Sequence, residues 1–214
     1  MTDIFRYADR QLVQISRYMS REFQNLSIRL NFDELNAPDV KREVVTMYER
    51  IDREVRTRYR RIIREVYREG EKDLGIKLPP LAIVAFMTAI LKSYDPTTQF
   101  VYTHEWTRKR DREIEAILSS EGRQEMRKAI KRGLDVTYRQ VAQEADDITV
   151  AALLASYEAG DVPYVRWVTE QDDRVCRICR ERDGKVYRIS EAPPLPAHWR
   201  CRCRYVPVRQ RTMF

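Results

Sequence analysis

The chain of 214 residues contains little glycine and little histidine, with six of the first and two of the second. The scarcity of glycine, together with many arginine, glutamate, alanine and isoleucine residues, favours helices. The longest apolar run, residues 81–91, is too short to span a bilayer, so we expect no membrane span. The sequence has no glycine-rich phosphate-binding loop. His104 lies among charged residues without a serine or cysteine nucleophile motif, which argues for a surface or capping role rather than a catalytic one.

The net charge of +7 is unevenly distributed. Residues 166–211 contain eleven arginines and one lysine against six acids, a net charge of +6. Such a basic end favours binding to nucleic acid or to an acidic protein partner. The alternative is that these arginines only keep a small, loop-rich module solvated. The candidate polyanion contacts are Arg174, Arg177, Arg180, Arg200, Arg202 and Arg204.

The first four-fifths of the chain predicts a series of helices. Apolar residues recur at helical spacing between residues 4 and 30, and again from Val44 to Val66. The second helix is predicted to begin near residues 36–39, where a capping side chain, a proline and an acid coincide, and to end at Gly70. Arginines crowd its other faces. We interpret them as a solvated surface, with a DNA-binding stripe as the alternative.

The most apolar segment, residues 81–91, follows Pro79 and Pro80. Prolines are tolerated in the first turn of a helix, and few polar residues follow them. The segment is therefore predicted to be the central helix of the core. Later helices are predicted from Thr103 to a break at Gly122, over residues 126–145, and over residues 148–159 with an end at Gly160.

The composition changes at residue 161. Residues 163–169 are rich in β-branched and aromatic side chains, and Asp183-Gly184 is a turn signal before a second predicted strand at 185–189. We therefore expect a helical region over residues 1–160 and a cysteine-rich basic module over residues 161–214. The predicted fold class is mainly α, an elongated multi-helix N-terminal region followed by a small metal-stapled α+β module.

All four cysteines and one histidine lie within 28 positions, as Cys176-x-x-Cys179 and His198-x-x-Cys201-x-Cys203. This spacing is typical of a structural zinc site. Five candidates compete for four positions. Cys176 and Cys179 form the first pair, and His198 with Cys201 is favoured as the second because H-x-x-C suits a tight turn; Cys203 is able to replace either. Four protein ligands leave no position for a catalytic water, so the site would be structural.

Two alternatives to metal remain open for these cysteines: a disulfide or redox pair, and unliganded thiols. The first 31 residues are polar and charged, without the apolar segment of a secretory signal. We therefore expect a reducing compartment, in which such spacing favours metal over disulfide.

The motifs of the module occur in a recognisable order: T-x-x-D-x-R-V-C-x-x-C at residues 169–179, Asp183-Gly184, and P-x-H-x-x-C-R-C at residues 196–203. This set resembles the phage Mu F-like family of phage head morphogenesis proteins, also called minor capsid or minor head proteins. The resemblance covers residues 162–208. The upstream segment Glu105-x-x-Arg108-Lys109-Arg110 fits the helical region of such proteins less distinctively.

The resemblance implies a non-enzymatic virion component, made in the bacterial host cytoplasm and placed in the head interior or at the portal vertex. It implies portal and capsid proteins as partners, packaged DNA as a further one, and self-association as an open question. It does not imply the metal, because some relatives lack the cysteines. Two other functions stay open from the residues themselves: a zinc-ribbon-like nucleic-acid-binding protein and a metal-dependent nuclease.

Overall fold

A computed structural model of the chain describes residues 3–35, 38–92, 104–170, 172–195, 197–198, 201 and 203–208. The helices are α1 (Asp3–Arg29), α2 (Pro38–Leu74), α3 (Pro80–Lys92), α4 (His104–Leu118), α5 (Arg123–Ala159) and α6 (Arg177–Arg182). The strands are β1 (Tyr164–Val168), β2 (Val186–Arg188) and β3 (Arg204–Val208), and short 3-10 helices lie at Phe32–Glu34 and Ile189–Glu191. The prediction of a mainly α chain with a small C-terminal α+β module is confirmed. Within the described residues, no helix is long and apolar enough to cross a membrane.

The two predicted amphipathic helices, α1 and α2, bury the faces that their spacing indicates. In α1, Ile15, Met19 and Leu26 have no exposed surface. Every residue of the predicted α2 stripe is at most 1% exposed: Val44, Tyr48, Ile51, Val55, Tyr59, Ile62 and Val66. The Tyr59 hydroxyl donates to the carbonyl of Val141 at 2.9 Å, which satisfies its one polar atom inside the core.

Helix α2 continues through Gly70 and ends at Leu74, so the predicted stop at Gly70 is wrong. A Cβ at position 70 would lie 2.1 Å from the Ser156 Oγ, so this glycine permits the close approach of α5. The residue that follows the helix is Gly75, whose φ of 64° is the left-handed conformation that glycine adopts at low cost.

Helix α3 matches the predicted apolar helix, but its predicted place at the centre of the core is wrong. Among residues 80–90, whose side chains the structure describes, none is buried, and Leu81 is 78% exposed. One face has a partner, since the Phe86 ring packs 5.9 Å from the Tyr67 ring. The run is apolar all round, so its sequence does not mark which face packs.

The two helices predicted at residues 126–145 and 148–159 form the single helix α5. Asp146 and Asp147 interrupt the apolar pattern there, but neither residue breaks a helix as proline does. Buried threonines within α5 satisfy their hydroxyls locally: Thr149 donates to the carbonyl of Ala145 at 2.7 Å. The predicted cap at Thr103 and the side chain of His104 lie outside the described residues.

The sheet has the strand order β2-β1-β3, and both pairings are antiparallel. Strands β1 and β2 lie where they were predicted, but the segment between them contains α6 and is no tight hairpin. Strand β3 was not anticipated, because Pro207 argues against a strand; it occupies an edge, where a missing N–H is tolerated. Trp167 of β1 pairs with Tyr205 of β3, and their buried rings meet edge to face at 5.5 Å.

The chain divides into two compact units, residues 1–9, 60–88 and 145–214 in one and residues 10–59 and 89–144 in the other. The first unit joins the C-terminal strands to the ends of α2 and α5. Within it, the Tyr157 hydroxyl donates to the Asp73 carboxylate at 2.6 Å and lies 3.5 Å from the carbonyl of Tyr205. The domain boundary at residue 160 stays a prediction.

Candidate metal centre

The first ligand pair is positioned by the start of α6. Cys176 is the N-cap of this helix, in extended conformation, and its sulfur accepts the N–H of Cys179 at 3.4 Å. The turn before it is ordered by Asp172, whose carboxylate accepts the N–H of Arg174 at 3.0 Å. This contact gives the acid a structural role in the turn. Cys179 thereby comes to face inward, and it is 1% exposed.

The second group of ligands lies on the segment that leads into β3. The N–H of Cys201 donates to the carbonyl of His198 at 3.0 Å, which closes the turn expected for H-x-x-C. Cys203 immediately precedes β3 and is buried, whereas His198 is exposed. Pairing of β3 with β1 brings this segment back to α6 from the other end of the module.

Cys179 lies at the centre of the five candidate side chains. Two sets of three ligand atoms lie within 4.8 Å of one another, Cys176 with Cys179 and His198, and Cys179 with Cys201 and Cys203. The Cys179 sulfur is 3.4 Å from the His198 Nε2 and 3.7 Å from the Cys201 sulfur. Ligands of tetrahedral zinc, with bonds of about 2.3 Å to sulfur and 2.0–2.1 Å to nitrogen, are separated by roughly 3.6–3.8 Å.

The five side chains are therefore positioned to hold a metal ion, and their soft thiolate and imidazole donors suit zinc. None of the four cysteines forms a disulfide in this structure.

Hydrogen bonding and burial give the four cysteines different pKa values. Donation from the Cys203 thiol, reinforced by backbone N–H groups, lowers the pKa of Cys201 to about 5. The same hydrogen bond, together with burial, raises the pKa of Cys203. The N–H of Cys179 lowers the pKa of Cys176, while burial raises that of Cys179 to about 12. The pKa values of Cys176 and Cys201 thus lie below that of a free thiol, and a cation would stabilise the Cys179 thiolate against its burial.

Residues 109–206 match the family model described as Phage Mu protein F like protein. This region is similar to the Phage Mu F-like family. The match confirms the resemblance and extends it upstream from residue 162 into α4, while Glu105 and Arg108 lie outside it. No curated protein and no solved structure gives a significant match to the chain.

The Phage Mu F-like region contains all five candidate ligands and all six predicted polyanion contacts. Arg174, Arg177 and Arg180 are exposed around the start of α6. Arg177 pairs with Glu181 at 2.8 Å, and Arg180 donates to the carbonyl of Val175 at 3.2 Å. Arg204 is half-buried in β3, and Arg200 and Arg202 lie outside the described residues.

Arg182 was not among the basic residues singled out from the sequence. The guanidinium of Arg182 lies 5.1 Å from the centre of the Trp167 ring, a cation–π contact at the edge of the small core. Charge counting alone does not separate this arginine from its neighbours, because the contact depends on how α6 packs against β1.

Proposed function

We propose that the chain is a phage head morphogenesis protein, a structural component of the virion without enzymatic activity. The match of residues 109–206 to the Phage Mu F-like family carries this proposal. The cluster of soft ligands supports it, because four protein ligands complete a tetrahedral shell and make a structural site.

We further propose that Cys176, Cys179, His198 and Cys201 bind one zinc ion, with Cys203 donating a hydrogen bond to the Cys201 sulfur. The first three are mutually close, and Cys201 lies 3.7 Å from Cys179. A bound zinc supplies a cross-link between the start of α6 and the segment that precedes β3. A module with strands of three to five residues gains from such a cross-link, because it buries little apolar surface of its own.

The zinc assignment is tested by the metal content of the purified full-length protein. We expect one zinc per chain in the natural sequence, and its loss in Cys176→Ser and in Cys201→Ser. Cys203→Ser is the matched control and should retain zinc with weaker affinity, as changes to groups that support ligands typically cost 10–100-fold. Metal-free natural protein with an intact module would overturn the assignment, and loss of zinc in Cys203→Ser would move Cys203 into the ligand set.

The proposed partners are the portal and capsid proteins of the phage, with the chain in the head interior or at the portal vertex. The family resemblance supports this placement. The exposed Arg174, Arg177 and Arg180 support a contact between the module and packaged DNA, because exposed guanidinium groups bind phosphate.

Co-sedimentation of the full chain with co-expressed portal and capsid proteins tests the virion role. We expect recovery with the particles at a fixed, low ratio, and the same ratio for Ile28→Ala, a change at an exposed position of α1. A chain that stays in the supernatant and binds DNA would instead support the nucleic-acid-binding alternative, which the +6 charge of residues 166–211 favours. Metal-dependent DNA cleavage would support the nuclease.

A further inference from the structure

The outer face of α2 near its C-terminal end is strongly basic. Arg60, Arg64, Arg68 and Lys72 follow one another at i,i+4 spacing, and Arg61 lies beside them on the same side of the helix. All five are exposed, opposite the buried stripe that contains Ile62 and Val66. These five cations are called the α2 basic face below.

Three members of this face have no acidic partner. Among the described residues, Arg60, Arg61 and Arg64 form no ion pair, so their guanidinium groups face solvent. Arg68 pairs with Glu65 at 3.0 Å and Lys72 with Glu69 at 2.8 Å, but both pairs lie at the surface, where ion pairs are weak and exchange readily.

The acids of this segment are held away from the unpaired arginines. Glu71 accepts the N–H of Leu78 at 3.1 Å and pairs with Lys77 at 2.9 Å, which ties it to the turn after the helix. The acids of the segment thus pair with Arg68, Lys72 and Lys77, and they leave Arg60, Arg61 and Arg64 uncovered.

The composition of the α2 basic face favours DNA over protein as its partner. Protein interfaces are centred on buried aromatic and apolar side chains, whereas protein–DNA interfaces are polar and positively charged. Within residues 60–72, all of them described, no large apolar side chain is exposed. Successive i,i+4 positions are about 6 Å apart along the helix, and each strand of a duplex presents a phosphate about every 3.4 Å along its axis. Each guanidinium can therefore reach a phosphate.

We propose that the α2 basic face binds the sugar–phosphate backbone of duplex DNA without sequence preference. This inference goes beyond the proposed function, because α2 lies outside the Phage Mu F-like region and outside the basic C-terminal module. It gives the chain a DNA-binding surface on its longest amphipathic helix, independent of the metal centre.

The test is the affinity of the full chain for a short random-sequence duplex, measured by fluorescence anisotropy between about 50 and 200 mM salt. The triple variant R60Q/R61Q/R64Q should bind about tenfold or more weakly at low salt. Its slope of log affinity against log salt should fall by roughly 2.7, or 0.9 for each phosphate contact removed.

A matched control removes three arginines that already have acidic partners. R29Q/R42Q/R123Q alters residues paired with Glu43, Asp39 and Asp33, and it should change the salt slope by less than one. Thermal unfolding of both variants verifies that each is folded. Equal salt slopes for the two triple variants would overturn the proposal.

The alternative partner, an acidic protein, has its own signature. If R60Q/R61Q/R64Q kept full DNA affinity but no longer sedimented with portal and capsid proteins, the face would bind protein and the DNA proposal would be wrong. Conversely, failure of the natural chain to co-sediment would count against the virion role and leave the salt-slope comparison intact, so the two proposals fail separately.

Discussion

Helix α2 and the C-terminal module are stabilised in different ways. The stripe of α2 repeats at helical spacing from Val44 to Val66, and each of its residues is at most 1% exposed. The module has short strands, and its buried core centres on Val165, Trp167 and Tyr205. A long periodic helix gains its stability from packing along its length, whereas a module of this size buries little apolar surface and would gain more from a cross-link. We therefore expect changes at the metal cluster to affect the structure of the module alone, and changes in the α2 stripe to lower the stability of the whole chain.

Removal of the proposed zinc ion should produce the largest effect, and only in the module. In a W106F/W199F background, Trp167 is the one remaining tryptophan of three. Chelation should shift its buried emission to that of an exposed indole while most of the helical circular dichroism remains, because structural zinc binds small modules with free energies of about 10–16 kcal/mol. Zinc should restore the emission. Unchanged emission after complete metal removal would show that the small core suffices without a metal.

Ile62→Ala should destabilise the chain by about 2–5 kcal/mol, because it deletes a fully buried side chain from the α2 stripe. Urea unfolding followed by circular dichroism measures the loss. Ile28→Ala, at a position that is 73% exposed, is the control and should change stability by less than about 0.5 kcal/mol. A similar, small effect at both positions would contradict the role given to the stripe.

Asp52 is a buried carboxyl group on α2 that lowers the stability of the folded chain when it is ionised. Burial raises the pKa of its carboxyl to about 7, and its oxygens have no hydrogen-bond partner among the described residues. Between the unfolded pKa near 4 and pH 7, the folded chain binds the extra proton, so stability should fall as the pH rises through this range and level off above it.

Asp52→Asn should reduce the change of the free energy of unfolding between about pH 4 and pH 7 by up to a few kcal/mol, because each unit of pKa shift corresponds to about 1.4 kcal/mol. Unfolding by urea at a series of pH values measures it. The exposed Asp39→Asn is the control and should keep the natural slope. Parallel curves for the natural chain and Asp52→Asn would refute a raised pKa.

Gly70→Ala should cost about 1–3 kcal/mol, although alanine is the better helix former. The added Cβ would fall 2.1 Å from the Ser156 Oγ, so α2 and α5 must separate locally. Combining the change with Ser156→Gly should recover part of the loss in thermal unfolding. Stabilisation by Gly70→Ala alone would mean that the close approach of the two helices does not constrain position 70.

Leu81→Ser should have the smallest effect, below about 0.5 kcal/mol, because this side chain of α3 is 78% exposed. Thermal unfolding, as used for Gly70→Ala, measures the change. A loss of about 2 kcal/mol or more would indicate that Leu81 is buried, and it would contradict the exposure of α3.

The elements that were predicted well are those in which the residues buried in the structure are the ones that the spacing of apolar residues indicates. The stripes of α1 and α2 have a helical period, so their buried faces could be read directly. Helix α3 is apolar without such a period, and its exposure depends on packing elsewhere in the chain. Gly70 was misread as a stop because a glycine that admits a neighbouring helix and one that ends a helix look alike in sequence.

The candidate site shows the same limit. Spacing pointed to all five candidate ligands, because Cys176-x-x-Cys179 and His198-x-x-Cys201 each form a local turn. It left the choice among His198, Cys201 and Cys203 open, because that choice depends on where β3 begins and how it pairs with β1. Strand β3 itself was missed, so the burial of Cys203 was not foreseen.

The hydroxyl of Tyr157 has a mechanical consequence. It joins α5 to Asp73 in the last turn of α2 and lies beside the backbone of β3 at Tyr205. A tension applied to β3 therefore has a route through this buried side chain into the ends of both 37-residue helices, beside the route through its pairing with β1. A partner that pulls on the C-terminal strands would thus load the longest helices of the chain.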